Sequence, residues 1–132
     1  MNKMIVKITA PDAEGNIWET LFPYRVNYGA HSFLIPRHFK SDGASVPKIF
    51  WRVVFANTSQ EAAAAGVCHD FIYRTQPNNW TRKEADGMFL SFLIENGASW
   101  FSANAAYFAV RLFGWIPWRK SKQRIEAERV KI

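Results

Sequence analysis

The sequence predicts an α+β fold in which a small N-terminal antiparallel β-sheet packs on an antiparallel helical hairpin plus a third helix. The first 40 residues alternate apolar and polar side chains between turn signals, which is typical of short strands. Two later segments open with capping boxes and continue at helical spacing. The chain has 132 residues, 48% of them hydrophobic, so we expect one domain, residues 1–132, with a packed core.

The predicted sheet occupies residues 1–40. Strand-like alternation runs through residues 1–9, 17–28 and 31–39, with turn-forming residues between these stretches. Pro23 interrupts the second stretch, because proline has no amide hydrogen to give to a strand ladder. We therefore expect an edge strand or a break at that point.

The predicted helical part occupies residues 41–114. Thr58-Ser59-Gln60-Glu61 and Thr81-Arg82-Lys83-Glu84 are capping boxes, in which a threonine precedes a glutamate by three residues. We expect the first helix to end near Thr75 and the second at Asn96-Gly97, where glycine favours a helix end. Since the connection between them is short, the two helices should be antiparallel neighbours.

A third helix is predicted from an N-cap at Ser102 to a stop at Gly114. Residues 115–132 form an aromatic and then basic tail, whose charged end is expected to be helical. Trp115 and Trp118 precede a cluster of Lys and Arg, which suits a membrane interface, where indole rings lie at headgroup depth and cations meet phosphate. The alternative is that both tryptophans cover the core and water surrounds the charges.

Composition narrows the classes of partner. The net charge of +6 favours phosphate headgroups, nucleic acid or acidic protein, although the chain carries no specific nucleic-acid signature. A single cysteine can form neither an internal disulfide nor a thiolate zinc cluster, so the chain should tolerate a reducing cytoplasm. No apolar run approaches the ~18 residues of a membrane-spanning helix, and the N-terminus lacks a signal-peptide pattern.

His69 is the centre of the predicted site. Tyr73 follows it by four residues on the same helical face, whereas Asp70 points about 100° away around the axis. Asp86 lies at a similar height on the second helix, where it can accept a hydrogen bond from one imidazole nitrogen. The other nitrogen would then be free to take a proton from water. The alternative is a buried polar network that locks the hairpin, satisfied by Tyr73 and Arg74 without catalysis.

The loop before the helices carries further candidates. Asp70 would face this loop and Asp42, and two carboxylates with nearby carbonyl oxygens would suit calcium. The alternative for the loop is a turn followed by a cap. Ser45 is a poor nucleophile candidate, since no Gly-x-Ser-x-Gly elbow surrounds it. Arg82 is expected to pair on the helix surface or to bond the Asp42 loop, and His31 is expected to be an ordinary residue, like His38.

Four segments of this part of the chain stand in a recognisable order. They are Asp42-Gly43-Ala44-Ser45, His69 to Arg74, Arg82 with Ala85-Asp86 and Phe89, and Ala106 to Gly114. Together they resemble the bacterial and fungal branch of the secreted A-two phospholipases. The Asp-Gly-Ala-Ser, His-Asp-x-x-Tyr and Arg-x-x-Ala-Asp motifs also resemble those of an uncharacterised protein family that is common in tailed phages and prophages. The single cysteine and the N-terminal sheet depart from the phospholipase pattern.

The resemblance implies a calcium-dependent hydrolase of lipid esters. His69 would be the general base and Asp86 its orienting partner, while Asp70 would bind calcium together with the loop at Asp42 and Gly43. Water activated by the histidine would attack the ester carbonyl while the metal stabilised the oxyanion. A phospholipid or membrane surface would be the partner.

Two other hypotheses remain open. The chain could be a non-enzymatic phage virion or tail-assembly protein that binds phage structural proteins through its sheet edges and its aromatic, basic C-terminus. It could also hydrolyse a cell-wall bond with the same dyad. In each case we expect synthesis in the cytoplasm of a bacterial host, and association with the virion if the role is structural.

Overall fold

A computed structural model describes residues 6–8, 18–41, 60–77 and 79–130. Its strands are β1 (Val6–Ile8), β2 (Trp18–Thr20), β3 (Tyr24–Tyr28), β4 (His31–Ile35) and β5 (Lys40–Ser41). Its helices are α1 (Gln60–Thr75), α2 (Arg82–Glu95), α3 (Trp100–Phe113) and α4 (Trp115–Val130). Short antiparallel strands followed by helices confirm the predicted α+β fold.

The strands form two small antiparallel sheets. One has the order β1-β2-β5, and the other is the β3–β4 hairpin. The strand predicted over residues 17–28 is therefore two strands in different sheets, and Pro23 lies between them. The strand predicted over residues 31–39 ends at Ile35, and a separate strand, β5, begins at Lys40.

The buried side chain of Thr20 connects the two sheets. Its Oγ1 donates a hydrogen bond to the carbonyl oxygen of Pro36 at 2.8 Å and accepts one from the amide of Phe39 at 2.9 Å. The turn between β4 and β5 is thereby held against the end of β2.

Helix ends follow local capping rules. Thr81 caps α2 with the predicted capping box, in which Glu84 is the reciprocal partner, and α2 ends before Asn96 as predicted. The predicted N-cap at Ser102 is wrong: Ser99 caps α3, since its side chain accepts the Ser102 amide hydrogen at 3.1 Å. The first turn of α3 therefore already contains Ser102. The capping box predicted at Thr58 lies outside the described residues.

The core has two parts. In the first, the β3–β4 hairpin packs on α1 and on Trp80; Phe33 stacks on Phe71 with ring centroids 5.5 Å apart. In the second, α1, α2 and α3 pack together through small and large apolar residues, namely Ala65, Phe89, Leu93, Ala103, Ala106 and Val110. The small alanine side chains let α1 and α3 come close to α2, and this brings polar side chains from three helices together. None of the helices that the structure describes is both long and apolar enough to cross a membrane.

Candidate functional site

His69 on α1 and Asp86 on α2 meet across the helical hairpin. The imidazole Nε2 lies 2.7 Å from Asp86 Oδ1, and both side chains are fully buried. This contact confirms the prediction from helical rise that the two residues lie at the same height. Because an ionised carboxylate can only accept, Nε2 carries the proton and donates it. Within the described part of the chain, the other nitrogen of the imidazole, Nδ1, has no hydrogen-bond partner.

Asp86 accepts hydrogen bonds from four side chains. Its Oδ1 accepts a hydrogen bond from the Tyr73 hydroxyl at 2.6 Å as well as the one from the His69 imidazole. Its Oδ2 accepts hydrogen bonds from Arg111 Nη1 at 2.8 Å and from Arg82 Nη1 at 3.3 Å. The donors come from α1, α2 and α3, so one carboxylate connects three helices.

The surroundings of Asp86 keep it ionised. Burial raises its pKa, but the hydrogen bond and charge of His69, followed by the bonds from Tyr73 and Arg111, more than offset this, so the net pKa is lowered. Burial, and then the charge and hydrogen bond of Asp86, raise the pKa of Tyr73. The phenol therefore stays protonated and acts as a donor.

Aromatic rings fix the plane of the His69 imidazole. The Tyr73 ring lies 4.2 Å from it and the Phe89 ring 4.8 Å from it, measured between ring centroids. Tyr73 thus acts twice, as a packing surface for His69 and as a second donor to Asp86. The helical spacing of four residues is what places its ring beside the imidazole.

Arg82 joins the start of α2 to the end of α3. Besides Asp86, its guanidinium donates to the carbonyl oxygens of Val110 at 3.0 Å and Arg111 at 3.3 Å. Both carbonyls lie in the last turn of α3, so the guanidinium ties the start of α2 to the C-terminal end of that helix. The sequence predicts that Arg82 pairs on the helix surface or bonds the Asp42 loop. Arg82 instead pairs with the fully buried Asp86, so the expected pairing on the helix surface is wrong, and Asp42 lies outside the described residues.

Arg111 is a member of the site that sequence reasoning missed. It lies 25 positions after Asp86, and only the packing of α3 on α2 brings the two together. A usable signal was present, because Arg111 is the one cation in the otherwise apolar run Tyr107 to Phe113. A charge in such a run needs a partner if its helix is packed on a core.

Gly114 leaves room for this network. A Cβ at this buried position would lie 2.5 Å from the Tyr73 hydroxyl, 3.2 Å from Arg82 Nη1 and 2.3 Å from the carbonyl oxygen of Val110. Its φ of −67° is helical, so glycine is needed for space and not for backbone conformation. The glycine predicted as a helix stop therefore also lets α3 approach the site.

Asp70 points away from His69, toward the strand that precedes the predicted loop. Its buried carboxylate pairs with Arg74, with Nε 3.0 Å from Oδ2, and Arg74 Nη1 donates to the carbonyl oxygen of Lys40 at 3.0 Å. The predicted loop residues Asp42, Gly43 and Ser45 lie outside the described residues.

The Asp70 carboxylate does not by itself fit a calcium site, because it already faces a guanidinium. Across the described ranges, no three His, Cys, Asp or Glu side chains are grouped as a metal site requires. We therefore derive no catalytic step from calcium, and the calcium site stays a prediction.

His31, expected to be an ordinary residue, connects the β3–β4 hairpin to the start of α2. Its Nε2 lies 2.7 Å from Glu84 Oε2, and its ring stacks on Trp80 at 4.2 Å. The hydrogen bond from His31, followed by bonds from Thr81, lowers the pKa of Glu84. The contact holds the first turn of α2, two residues before Asp86.

One comparison with known proteins identifies a family. No curated protein and no solved structure matches the chain. A family model described as "Protein of unknown function (DUF1353)" matches residues 18–110, which include His69, Tyr73, Arg82 and Asp86. The matched range, residues 18–110, makes up more than two thirds of the 132-residue chain. The chain therefore belongs to the DUF1353 family.

Proposed function

We propose that this chain is a hydrolase in which His69 activates water for attack on a lipid ester. One observation carries the proposal: Nε2 of the imidazole is held by Asp86, while Nδ1 has no partner among the described residues. Leaving a buried nitrogen unsatisfied costs about 1–3 kcal/mol. A network that served only to join helices would gain nothing from that cost, whereas a general base needs a free nitrogen.

The proposed step follows from that arrangement. Because Nδ1 is buried, the step requires the site to open to water and to the ester. Nδ1 then takes one proton from a water molecule as the water oxygen attacks the carbonyl carbon of the ester. The tetrahedral intermediate then collapses, the bond between the carbonyl carbon and the alcohol oxygen breaks, and the proton passes from Nδ1 to the leaving oxygen. The products are a carboxylic acid and an alcohol, and the imidazole returns to its starting state.

The neighbours of His69 have positioning roles in this proposal. Asp86 fixes the tautomer in which Nε2 carries hydrogen and stabilises the imidazolium that forms in the reaction. Tyr73 and the two arginines keep the carboxylate ionised and in place. The resemblance to the phospholipases supports a lipid ester as the substrate.

A variant that keeps the fold tests the proposal. In His69→Gln the side-chain amide nitrogen can replace Nε2 as the donor to Asp86, but the amide oxygen is too weak a base to take a proton as Nδ1 does. We expect the wild type to release fatty acid from vesicles of phosphatidylcholine and phosphatidylglycerol, and His69→Gln to lose that activity. The matched control is His38→Gln, because the side chain of His38 is 62% exposed and lies outside the site.

Circular dichroism should show that both variants are folded. Wild-type protein that is inactive on these vesicles, both with calcium and with a chelator, would refute the proposal. Activity that requires calcium would support the predicted calcium site, and activity in the presence of the chelator would contradict it.

The complete burial of His69 and Asp86 favours a second candidate function. A carboxylate that joins three helices and is closed off from solvent can be a purely structural clamp. The chain would then be a non-enzymatic virion or tail-assembly protein. In a phage that encodes it, His69→Gln should leave infectivity unchanged, and the protein should co-purify with tail or capsid components. Lost infectivity with a folded variant would contradict this candidate.

A further inference from the structure

The outer face of α3 is apolar and exposed. Phe101, Phe108 and Leu112 have 72%, 61% and 66% of their surface exposed, respectively. Their spacings of seven and four residues put them on one side of the helix, in a stripe about 16 Å long at the usual helical rise. We call these three residues the α3 stripe. The opposite side of α3, with Ala103, Ala106 and Val110, packs in the core.

An exposed stripe of this kind needs a partner. Single apolar residues on a protein surface are ordinary, but a contiguous group with two phenylalanines marks an interaction surface. The neighbouring Trp100 is 73% exposed and enlarges the group. None of these residues takes part in the network around Asp86.

Cations follow the stripe on the next helix. The hydrogen bonds from the Gly114 amide to Val110 at 2.8 Å and from the Trp118 amide to Gly114 at 3.1 Å carry the helical pattern from α3 into α4. Because the helical pattern continues, the exposed Trp115, three residues after Leu112, extends the side of α3 that carries the stripe. Arg119 and Lys122 follow Trp115 by four and seven residues on one face of α4. They line a groove with Trp115 and Trp118, and Gln123 and Glu126 line the same groove.

We propose that the α3 stripe, with Trp115, Arg119 and Lys122, docks on the surface of an anionic phospholipid bilayer. Aromatic and aliphatic side chains would enter the headgroup and acyl boundary, and the two cations would meet lipid phosphates. The proposal deepens the proposed function, since it rests on a lipid ester as substrate and names the surface that would present it.

Charge favours lipid over a second copy of the chain. A second copy of the chain would bring another net charge of +6 to a surface that already carries Arg119 and Lys122. The bilayer offers the opposite charge to the same groups. The sequence predicts a membrane interface at Trp115, Trp118 and the Lys and Arg cluster that follows them, whereas the proposed surface centres on α3. Trp118, expected in that segment, packs edge-on against Tyr73 with ring centroids 5.1 Å apart.

Vesicle sedimentation tests the proposal without any need for catalysis. We expect the wild type to bind vesicles containing phosphatidylglycerol and to bind pure phosphatidylcholine vesicles weakly. The double variant Phe108→Ser, Leu112→Ser should lower binding by about tenfold or more. The control is Leu34→Ser, which removes an exposed leucine from β4.

The charges need a separate pair of variants. Arg119→Gln with Lys122→Gln should remove most of the preference for phosphatidylglycerol and most of the salt dependence of binding. Lys83→Gln, an exposed lysine on α2, is the control and should change neither. All the substituted side chains are exposed, so the variants should fold normally.

The possible outcomes separate this proposal from the proposed function. Equal vesicle binding by the stripe variant and by Leu34→Ser would overturn the docking surface, as would dimerisation that depends on the stripe without any lipid binding. Hydrolysis of a soluble short-chain ester without vesicle binding would also overturn it and leave the hydrolase intact. Vesicle binding with no hydrolysis of any ester would support the surface and refute the hydrolase.

Discussion

Replacing Asp86 with Asn is the sharpest perturbation of the network. Asn keeps the size of the side chain, one carbonyl oxygen and the helical position, but it loses the negative charge and has one NH₂ group in place of an acceptor. If the oxygen faces His69 and Tyr73, the NH₂ group faces the two guanidiniums of Arg82 and Arg111. The guanidiniums of Arg82 and Arg111 would then lose their acceptor, and the NH₂ group, itself a donor, would point at them.

The contacts set the expected loss of stability. A hydrogen bond to a charged group contributes about 1.5–3 kcal/mol, and breaking a buried ion pair costs about 3–5 kcal/mol. Asp86 itself is fully buried, but the side chains of Arg82 and Arg111 are 20% and 30% exposed. Water can partly solvate those guanidiniums once the carboxylate is gone. We therefore expect Asp86→Asn to lower the free energy of unfolding by about 3 kcal/mol, toward the lower end of that range.

Urea unfolding, followed by tryptophan fluorescence and circular dichroism, measures this loss. The pKa of Asp86 is lower in the folded protein than its ordinary value near 3.8. Its charge therefore stabilises the fold at pH values above the ordinary pKa, and that contribution disappears as the pH falls through the lower folded pKa. The difference between wild type and Asp86→Asn should shrink below about pH 4.

The matched control is Glu128→Gln, which removes an exposed carboxylate near the end of α4 and should change stability by less than about 0.5 kcal/mol. A loss below about 1 kcal/mol in Asp86→Asn, or a loss that does not depend on pH, would refute the view that this carboxylate holds the three helices together.

Four further outcomes follow from individual contacts. Gly114→Ala should lower the free energy of unfolding in urea by about 2 kcal/mol or more, because the new methyl group would overlap the Tyr73 hydroxyl; wild-type stability would contradict this. Tyr73→Phe keeps the ring and loses the bond to Asp86, so thermal melting should show a loss of about 1–2 kcal/mol, and an unchanged melt would count against the bond. Burial raises the pKa of Cys68 to about 12, so iodoacetamide at pH 8 should alkylate it only as fast as the protein opens, and labelling at the rate of an unfolded thiol would be inconsistent with burial. His31→Phe should let the pKa of Glu84 rise toward its ordinary value in an NMR titration, since the bond from His31 is the main cause of its lowering; an unchanged pKa would show that the Thr81 bonds suffice.

Local rules accounted for the parts of the fold that depend on a few neighbouring residues. The Thr81 capping box places the start of α2, and the rise per residue in two antiparallel helices places His69 opposite Asp86. The same rules misplaced the start of α3. Its N-cap lies three residues before the predicted N-cap at Ser102, because the backbone is extended at Ser99 and the side chain of Ser99 caps the first turn.

Contacts between distant residues were out of reach of such rules. Arg111 meets Asp86 only because α3 is rotated so that its alanines face α2. His31 and Glu84 are 53 positions apart, and periodicity within β4 or α2 says nothing about their meeting. Sequence patterns therefore identified the His69–Asp86 pair with Tyr73 beside it, and the contact of Arg82 with Asp86 is local to α2, whereas Arg111 completes the network only through tertiary packing.

The two candidate functions agree about Asp86 and differ about His69. Asp86 joins three helices whether or not the protein is an enzyme, so loss of activity in an Asp86 variant would not distinguish catalysis from folding. The free Nδ1 of His69 contributes nothing to the connection between helices, because it has no partner in the described structure. A structural clamp should tolerate its loss, and a hydrolase should not. The effect of removing His69 Nδ1 therefore distinguishes the two candidate functions.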